Sequence, residues 1–295
     1  DNGTIDGQGQ VWWNMWRDGS LKYTRGNLIE IMNSKDVIIS NLLLLNSPFW
    51  NIHPVYCSNV VVRHVTILAP PDSPNTDGID PDSSSNVCIE DCYVRNGDDI
   101  VAIKSGWDEY GIAFGRPSSN IIVRRVTGSS PGFSGIAIGS ETSGGIQDIL
   151  IQDVNIINSG TGIRLKTNAG RGGIITNITI SGIYMENVRR AIHFSGNTGD
   201  HPDQGYNPLA LPVVRSIAVK NVVGKGIGSV GSMEGLKASP FQDICLANIR
   251  LQGMTGLLTW KCVSVEGSSI GTITPPPCTQ LNRPLSSFCH SSLTS

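Results

Sequence analysis

Charge is scarce in this chain of 295 residues: Asp, Glu, Lys and Arg make up 16%, aromatic residues only 6%, and the formal net charge is −2. No basic run occurs, so neither nucleic acid nor an acidic membrane surface is expected as a partner. No apolar stretch approaches the roughly 20 residues of a membrane-spanning helix. None of the seven cysteines has the paired CxxC spacing that zinc usually requires, and no metal or cofactor is expected. Amphipathic helix patterns are nearly absent too. The opening "DNGTIDGQGQ" carries no initiator Met and no signal peptide, which reads as a processed or truncated chain.

What is present is repetition. A polar residue followed by alternating apolar residues starts at Asp36 ("DVIISNLLLL"), Asn59, Asn86, Asn120, Asp148, Asn177, Ser216 and Asp243, at intervals of 23 to 39 residues. A second phrase precedes most of these: "NLIEI", "WNIHPV", "DGIDPD", "DDIVAIK", "SGIAIGS", "TGIRLKT" and "RAIHFSG". Short strands joined by Asn-, Ser- and Gly-rich turns at such a period predict an all-β solenoid, a right-handed parallel β-helix. A leucine-rich repeat is excluded because its LxxLxL spacing is missing. One domain is expected over residues 1–295, with a Cys-containing tail at 270–295.

Stacking gives meaning to three acids. Asp77, in "NTDGID", and the pair Asp98–Asp99, in "GDDIVAIKSG", stand just before second-phrase strands of adjacent coils. Neighbouring parallel strands lie ~4.8 Å apart, so the three carboxylates should converge on one face. The next coils add Ser134, then Arg164 and Lys166, which point outward while Ile163 and Leu165 enter the core. Clustered acids suit either a hard cation or glycoside hydrolysis, where one protonated carboxyl serves the leaving oxygen and another activates water. Crowding helps keep the acid protonated. Cations beside the acids suit an anionic sugar, and Lys104 is a further candidate. His53 and His193 lie on second-phrase strands, where a lone His is more often structural. Tyr184 and Tyr206 are candidates for stacking on sugar rings or for ordinary packing.

The ordered motifs "NTDGID", "GDDIVAIKSG", "SGIAIGSE" and "GIRLKTNAGRGG" resemble glycoside hydrolase family 28, the polygalacturonases, and most nearly its plant and exo-acting members. The resemblance implies hydrolysis of α-1,4-galacturonan (pectin) with inversion, exo-acting, by a secreted, extracellular cell-wall protein that is a monomer. It assigns Asp98 as general acid, with Asp77 and Asp99 holding and activating water. Arg164 and Lys166 match the family's substrate-binding pair, and Asn75, Lys104 and Ser134 complete the expected binding set. Inversion predicts facing carboxyls ~6.5–9.5 Å apart. The chain departs from the family at "PGFSGIAIGSE", where Ser134 stands at the expected place of a His in a Gly-His-Gly motif. A catalytically weakened pectin-binding wall protein is therefore the alternative, and a calcium-dependent lyase a third. The family's upstream capping segment is also missing, so the first coil is expected to lack its N-terminal cap.

Two N-glycosylation sequons, at Asn2 and Asn177, and the clustered C-terminal cysteines point to an oxidising compartment. Cys278–Cys289 and then Cys245–Cys262 are the expected pairs. Alternation along "NVCIEDCYV" sends Val87, Ile89 and Cys92 to the core and Cys88 outward, which argues against a Cys88–Cys92 bridge.

Overall fold

A computed structural model describes residues 2–253 and 259–294. Three stacks of short parallel strands wind into a right-handed parallel β-helix. The first stack runs through Lys35–Ser40, Ser58–Arg63, Ser85–Glu90 and Ser118–Arg124 into the first halves of the long strands Ile146–Lys166, Ile174–Ser195, Val213–Ile227 and Phe241–Gly253. The second runs through Gly3–Asp6, Leu42–Leu45, Thr66–Leu68, Tyr93–Arg95 and Thr127–Ser129 into the middle of those long strands. The third holds Ile29–Met32, Ile52–Val55, Val101–Ile103, Ser134–Ile138, residues 161–166 and 190–195, Ser229–Glu234 and Trp260–Val263. Among the described residues, no helix is long and apolar enough to cross a membrane.

The repeat anchors prove to be corners. Asp36, Asn59, Asn86, Asn120, Asp148, Asn177, Ser216 and Asp243 all have φ between 53° and 59°, the left-handed region that an L-residue enters at a cost. Asn and Asp tolerate it best, because their short polar side chains bond locally. Several also stack: Asn59 Nδ2 donates to Asp36 Oδ1 (2.8 Å), Asn86 Nδ2 to Asn59 Oδ1 (3.1 Å) and Asn177 Nδ2 to Asp148 Oδ1 (2.6 Å). The Asn177 sequon thus has its amide engaged within the fold. Inside the corners, Val60 and Val62, Val87 and Ile89, Ile121 and Val123, and Ile149 and Ile151 form columns that are at most 2% exposed. Each such side chain contributes about 1.5–3 kcal/mol by leaving water.

Two anchor intervals exceed 30 residues, and the surplus leaves the solenoid. One excursion carries the helix Asp108–Phe114, the other the irregular residues 197–212. They meet where Tyr110 Oη donates to Asp203 Oδ2 (2.9 Å) and where buried Asp108 pairs with both His201 (2.6 Å) and Arg171.

The cysteine pairing differs from the expected one. The same four residues are bridged, but as Cys245–Cys289 and Cys262–Cys278, with Cα–Cα distances of 5.5 and 6.3 Å. After Thr274 the chain first doubles back beside Trp260–Val263, bringing Cys278 to Cys262. Only then does the helix Ser287–Thr294 pack beside Phe241–Gly253 and reach Cys245. Cys92 is buried, Cys88 is half-buried and both are free, as the alternation required.

The corner argument is testable at Asn86. Replacement by Ala imposes the left-handed cost and removes the stacking bond, so Asn86→Ala should lose about 1–2 kcal/mol of unfolding free energy in urea. Asn86→Gly relieves the backbone and should lose less; equal losses would refute the corner assignment.

Candidate active site

The acids sit where the third stack begins. Successive coils are locked there by backbone bonds: Asn51 N–H donates to the Asp77 carbonyl (2.9 Å), Gly78 N–H to that of Asp99 (2.9 Å) and Ile100 N–H to that of Ser134 (2.8 Å). Buried Asn side chains pin the same turns. Asn51 Nδ2 donates to the Asp77 carbonyl (2.9 Å), and Asn96 Nδ2 to the carbonyls of Thr76 (2.8 Å) and Asp99 (2.9 Å). Gly78 is required by closeness: a Cβ there would stand 2.3 Å from the Ile100 carbonyl oxygen. Asp77, Asp98 and Asp99 are brought together so that one oxygen from each lies within 4.8 Å of the others.

Their neighbours drive the three carboxyls apart in proton affinity. Burial raises Asp99, but Lys166 Nζ at 2.7 Å outweighs it, and the Ser134 N–H at 2.8 Å adds a second bond; Asp99 is held below the ordinary range. Asp98 has no such ion pair among the described residues. Burial, then the charges of Asp77 and Asp99, push it well above the ordinary range. Burial also lifts Asp77, while Lys104 at 3.8 Å opposes, leaving it raised to about 6. Lys104 is itself buried, which disfavours its charge, yet Glu141 at 3.0 Å and then Asp77 hold it protonated. Burial opposes the charge of Glu141, but Lys104 prevails and lowers it to about 2. Of the three, Asp98 is therefore the carboxyl with the greatest hold on its proton, Asp99 the one with the least, and Asp77, raised to about 6, lies between them and is mostly ionised near neutrality.

A cleft of about 580 Å³ opens over these groups. Arg164, Lys166, Lys104, Asn75 and His53 all line it. Their duties differ. Lys166 is committed to Asp99, and Lys104, under the Trp50 ring at 4.4 Å, to Glu141 and Asp77. Asn75 Oδ1 accepts from Arg25 Nη2 (2.6 Å). Arg164 has no ion pair among the described residues, and its Nε is buried without a partner. Ile163 and Leu165 are in the core, as expected.

Ser134 does not stand in the cleft. It is fully buried, its Oγ has no hydrogen-bond partner, and its contact with the acids is the backbone N–H to Asp99. The residue before it, Phe133, lines the cleft instead at 40% exposure, because alternation at the strand start turns residue 134 inward. His193 bonds Ser232 Oγ (2.9 Å), Tyr184 bonds Glu186, and Tyr206 stacks on His201; none of the three lines the cleft.

Sequence reasoning missed Glu141, Asp80 and Arg25. Glu141 ends the quoted "GSE", but nothing local reveals that Lys104 of the previous coil lies against it. Asp80, in "NTDGID", is fully buried with neither oxygen hydrogen-bonded among the described residues; burial, then the charge of Asp77, raise it well above the ordinary range. Arg25 binds the Pro48 and Pro74 carbonyls (3.1 and 2.7 Å) and stacks near Phe49.

The acid trio offers three oxygens to a cation, but Lys166 and Lys104 already supply positive charge and Asp98 holds a proton, a poor setting for calcium. The cluster Asp243, Cys245 and Cys289 offers no thiolate, since its two sulfurs are bridged.

The fold is a parallel β-helix whose outer cleft is lined by Asp77 and Asp98, with fully buried Asp99 beside them. The chain belongs to the glycosyl hydrolases family 28, whose family model matches residues 1–272. It is 50% identical over 283 residues to a probable polygalacturonase of Vitis vinifera, covering 95% of this chain and 57% of that protein. It is 32% identical over 277 residues to an endo-polygalacturonase of Pectobacterium parmentieri, covering 90% and 64%. The exopolygalacturonase structure of Thermotoga maritima is similar with a TM-score of 0.74 at 33% identity, over 87% of this chain and 59% of that one. The polygalacturonase structure of Erwinia carotovora has a TM-score of 0.74 at 27% identity, over 88% and 67%. The chain thus spans somewhat less than two thirds of the curated relatives it matches.

The charge relay predicts a pH effect. Ionisation of Asp77 should set the acidic limb of activity, near pH 6. Glu141→Gln removes a charge that raises Asp77 and leaves Lys104 to it alone, so the limb should move down by about one unit. A pH–rate profile with an unmoved limb would show that Asp77 does not set it.

Proposed function

We propose that this protein hydrolyses α-1,4-glycosidic bonds of galacturonan in pectin. The observation that carries the reading is the division of proton affinity among Asp98, Asp77 and Asp99. Asp98 gives its proton to the leaving glycosidic oxygen. Asp77 and Asp99 orient water, and Asp77 accepts its proton. Both oxygens of Asp99 are engaged, by Lys166 and by Ser134 N–H, which suits it to positioning rather than to covalent attack. That supports inversion. Arg164, the lining cation without an ion pair among the described residues, holds a substrate carboxylate. Exo action is favoured by the wall raised beside the cleft, where the two excursions contribute Trp107, Thr198 and Asp200. Secretion to the cell wall fits the two bridges.

A second reading is a pectin-binding protein with weak chemistry. Phe133 at the cleft wall and buried Ser134 supply no titrating group where the family motif has a His. Reducing-sugar release separates the two readings.

Asp98→Asn keeps the shape but removes the proton, so turnover on polygalacturonan should fall at least ~100-fold while binding survives. Activity close to the parent would overturn the assignment. Proton NMR of the first product should show the inverted anomer, and mass spectrometry should show release of short products from a chain end.

A further inference from the structure

Arg25 stands in the irregular run between helix Gln10–Arg17 and strand Ile29–Met32, and it inverts the usual pattern there. Lys22, Tyr23, Thr24 and Gly26 around it are exposed, while the arginine itself is 4% exposed. A buried charge is rarely found without an opposite one. Yet Arg25 has no ion pair among the described residues, and its guanidinium is spent on neutral oxygens instead. Nη1 donates to the carbonyls of Pro48 (3.1 Å) and Pro74 (2.7 Å), and Nη2 donates to Asn75 Oδ1 (2.6 Å). The rings of Trp16 and Phe49 cover it, at 5.5 and 4.8 Å.

Each of these acceptors adjoins the cleft. Pro48 precedes Phe49 and Trp50, Pro74 precedes Asn75, and Phe49, Trp50 and Asn75 all line it. The two segments belong to successive coils, since Asn51 N–H donates to the Asp77 carbonyl (2.9 Å). One planar head from outside the repeat thus ties two coils together where the acids begin. Burial lowers the proton affinity of Arg25 and the charge of Asp98 opposes, so the arginine lies within reach of that acid's field.

The bond to Asn75 also decides which end of its amide faces the cleft. A guanidinium has donors and no acceptor, so the amide must turn its oxygen to Arg25. That leaves Asn75 Nδ2, which has no partner among the described residues, two positions before Asp77 in the cleft lining. The backbone of Asn75 is left-handed, with φ 55°, which accounts for an Asn here but not for the direction of its side chain.

We infer that Arg25 is a positioning residue: it holds Asn75 with its NH₂ group turned into the cleft, as a hydrogen-bond donor to an oxygen of the sugar beside Asp77. This rests on the reading that the cleft takes galacturonan.

The test is a double-mutant cycle, read by calorimetry of trigalacturonate binding to the Asp98→Asn protein, which holds ligand without turnover. Arg25→Lys keeps the charge but loses the fork, and should weaken binding on the order of tenfold. Asn75→Gly removes the amide without straining a left-handed backbone, and should weaken binding to a similar degree. The double variant should bind no more weakly than Asn75→Gly alone, because the arginine acts through the amide. Additive losses, or no loss for Arg25→Lys, would make Arg25 a scaffold residue and overturn the inference while leaving the cleft reading standing. Should Arg25→Lys fail to fold, Asn75→Asp decides, since it keeps the acceptor that Arg25 needs and removes the donor. Its affinity for the neutral, fully methyl-esterified trimer should fall on the order of tenfold, a loss that charge repulsion cannot supply. Undiminished affinity overturns the inference. Absence of trigalacturonate binding before Arg25 or Asn75 is replaced overturns the galacturonan reading itself, and this assignment with it.

Discussion

Everything in this molecule depends on coils stacking without slipping. A one-residue slip in a strand turns its whole apolar set to the wrong face. What prevents it is the corner residue in the left-handed conformation at the entrance to each first-stack strand, from Asp36 to Asp243. Because each corner repeats at the same point of every coil, the residue opposite any side chain is determined one coil up and one coil down. The geometry of the acid cluster is then a by-product of register. Asp77 and Asp99 meet because their carbonyls accept from successive coils, not because a dedicated loop folds them together.

Three carboxyls within 4.8 Å of one another are tolerable only because cations share their burial. The lysines serve that end. Lys166 neutralises Asp99, and Lys104 is divided between Asp77 and Glu141. Lysine suits the task as a compact point charge. The alternation of "RLK" therefore separates two cations two residues apart on one strand, Arg164 lining the cleft without an ion pair among the described residues and Lys166 bound to Asp99. Asp98, left without a cation of its own, keeps its proton by default.

Much of this was legible in the sequence, and the reason is periodicity. The anchors, the core columns of Val and Ile, and the convergence of Asp77, Asp98 and Asp99 all follow from counting along a repeat. Errors fell where a side chain's direction departs from the count or where partners come from outside it. Ser134 was expected on the open face, but the strand begins there with its side chain inward and Phe133 takes the cleft. The bridges were mispaired because the tail is not periodic, so no coil arithmetic says that it returns to Cys262 before reaching Cys245. Glu141 and Asp80 went unassigned because their importance lies in burial and in a partner one coil away, neither of which a local motif displays.

The non-periodic excursions matter for the same reason. Helix Asp108–Phe114 and the segment 197–212 leave different coils, yet they converge on fully buried Arg171. Its Nη1 pairs with Asp108, its Nε donates to the Ser140 carbonyl (2.8 Å), and its guanidinium faces the Trp107 ring at 5.6 Å. Asp108 in turn holds His201 at 2.6 Å, which is stacked on Tyr206 and bonded to Asn168 (3.0 Å). Hydrophobic residues of equal volume in this hub would serve stability as well, since buried ion pairs are weak stabilisers. What they would not do is fix direction. Ser140 and Trp107 both line the cleft, and Arg171 bonds one and stacks on the other. Its planar, multiply bonded head therefore sets the wall of the cleft relative to the acid-bearing stack, and through it the width of the cleft beside Asp98.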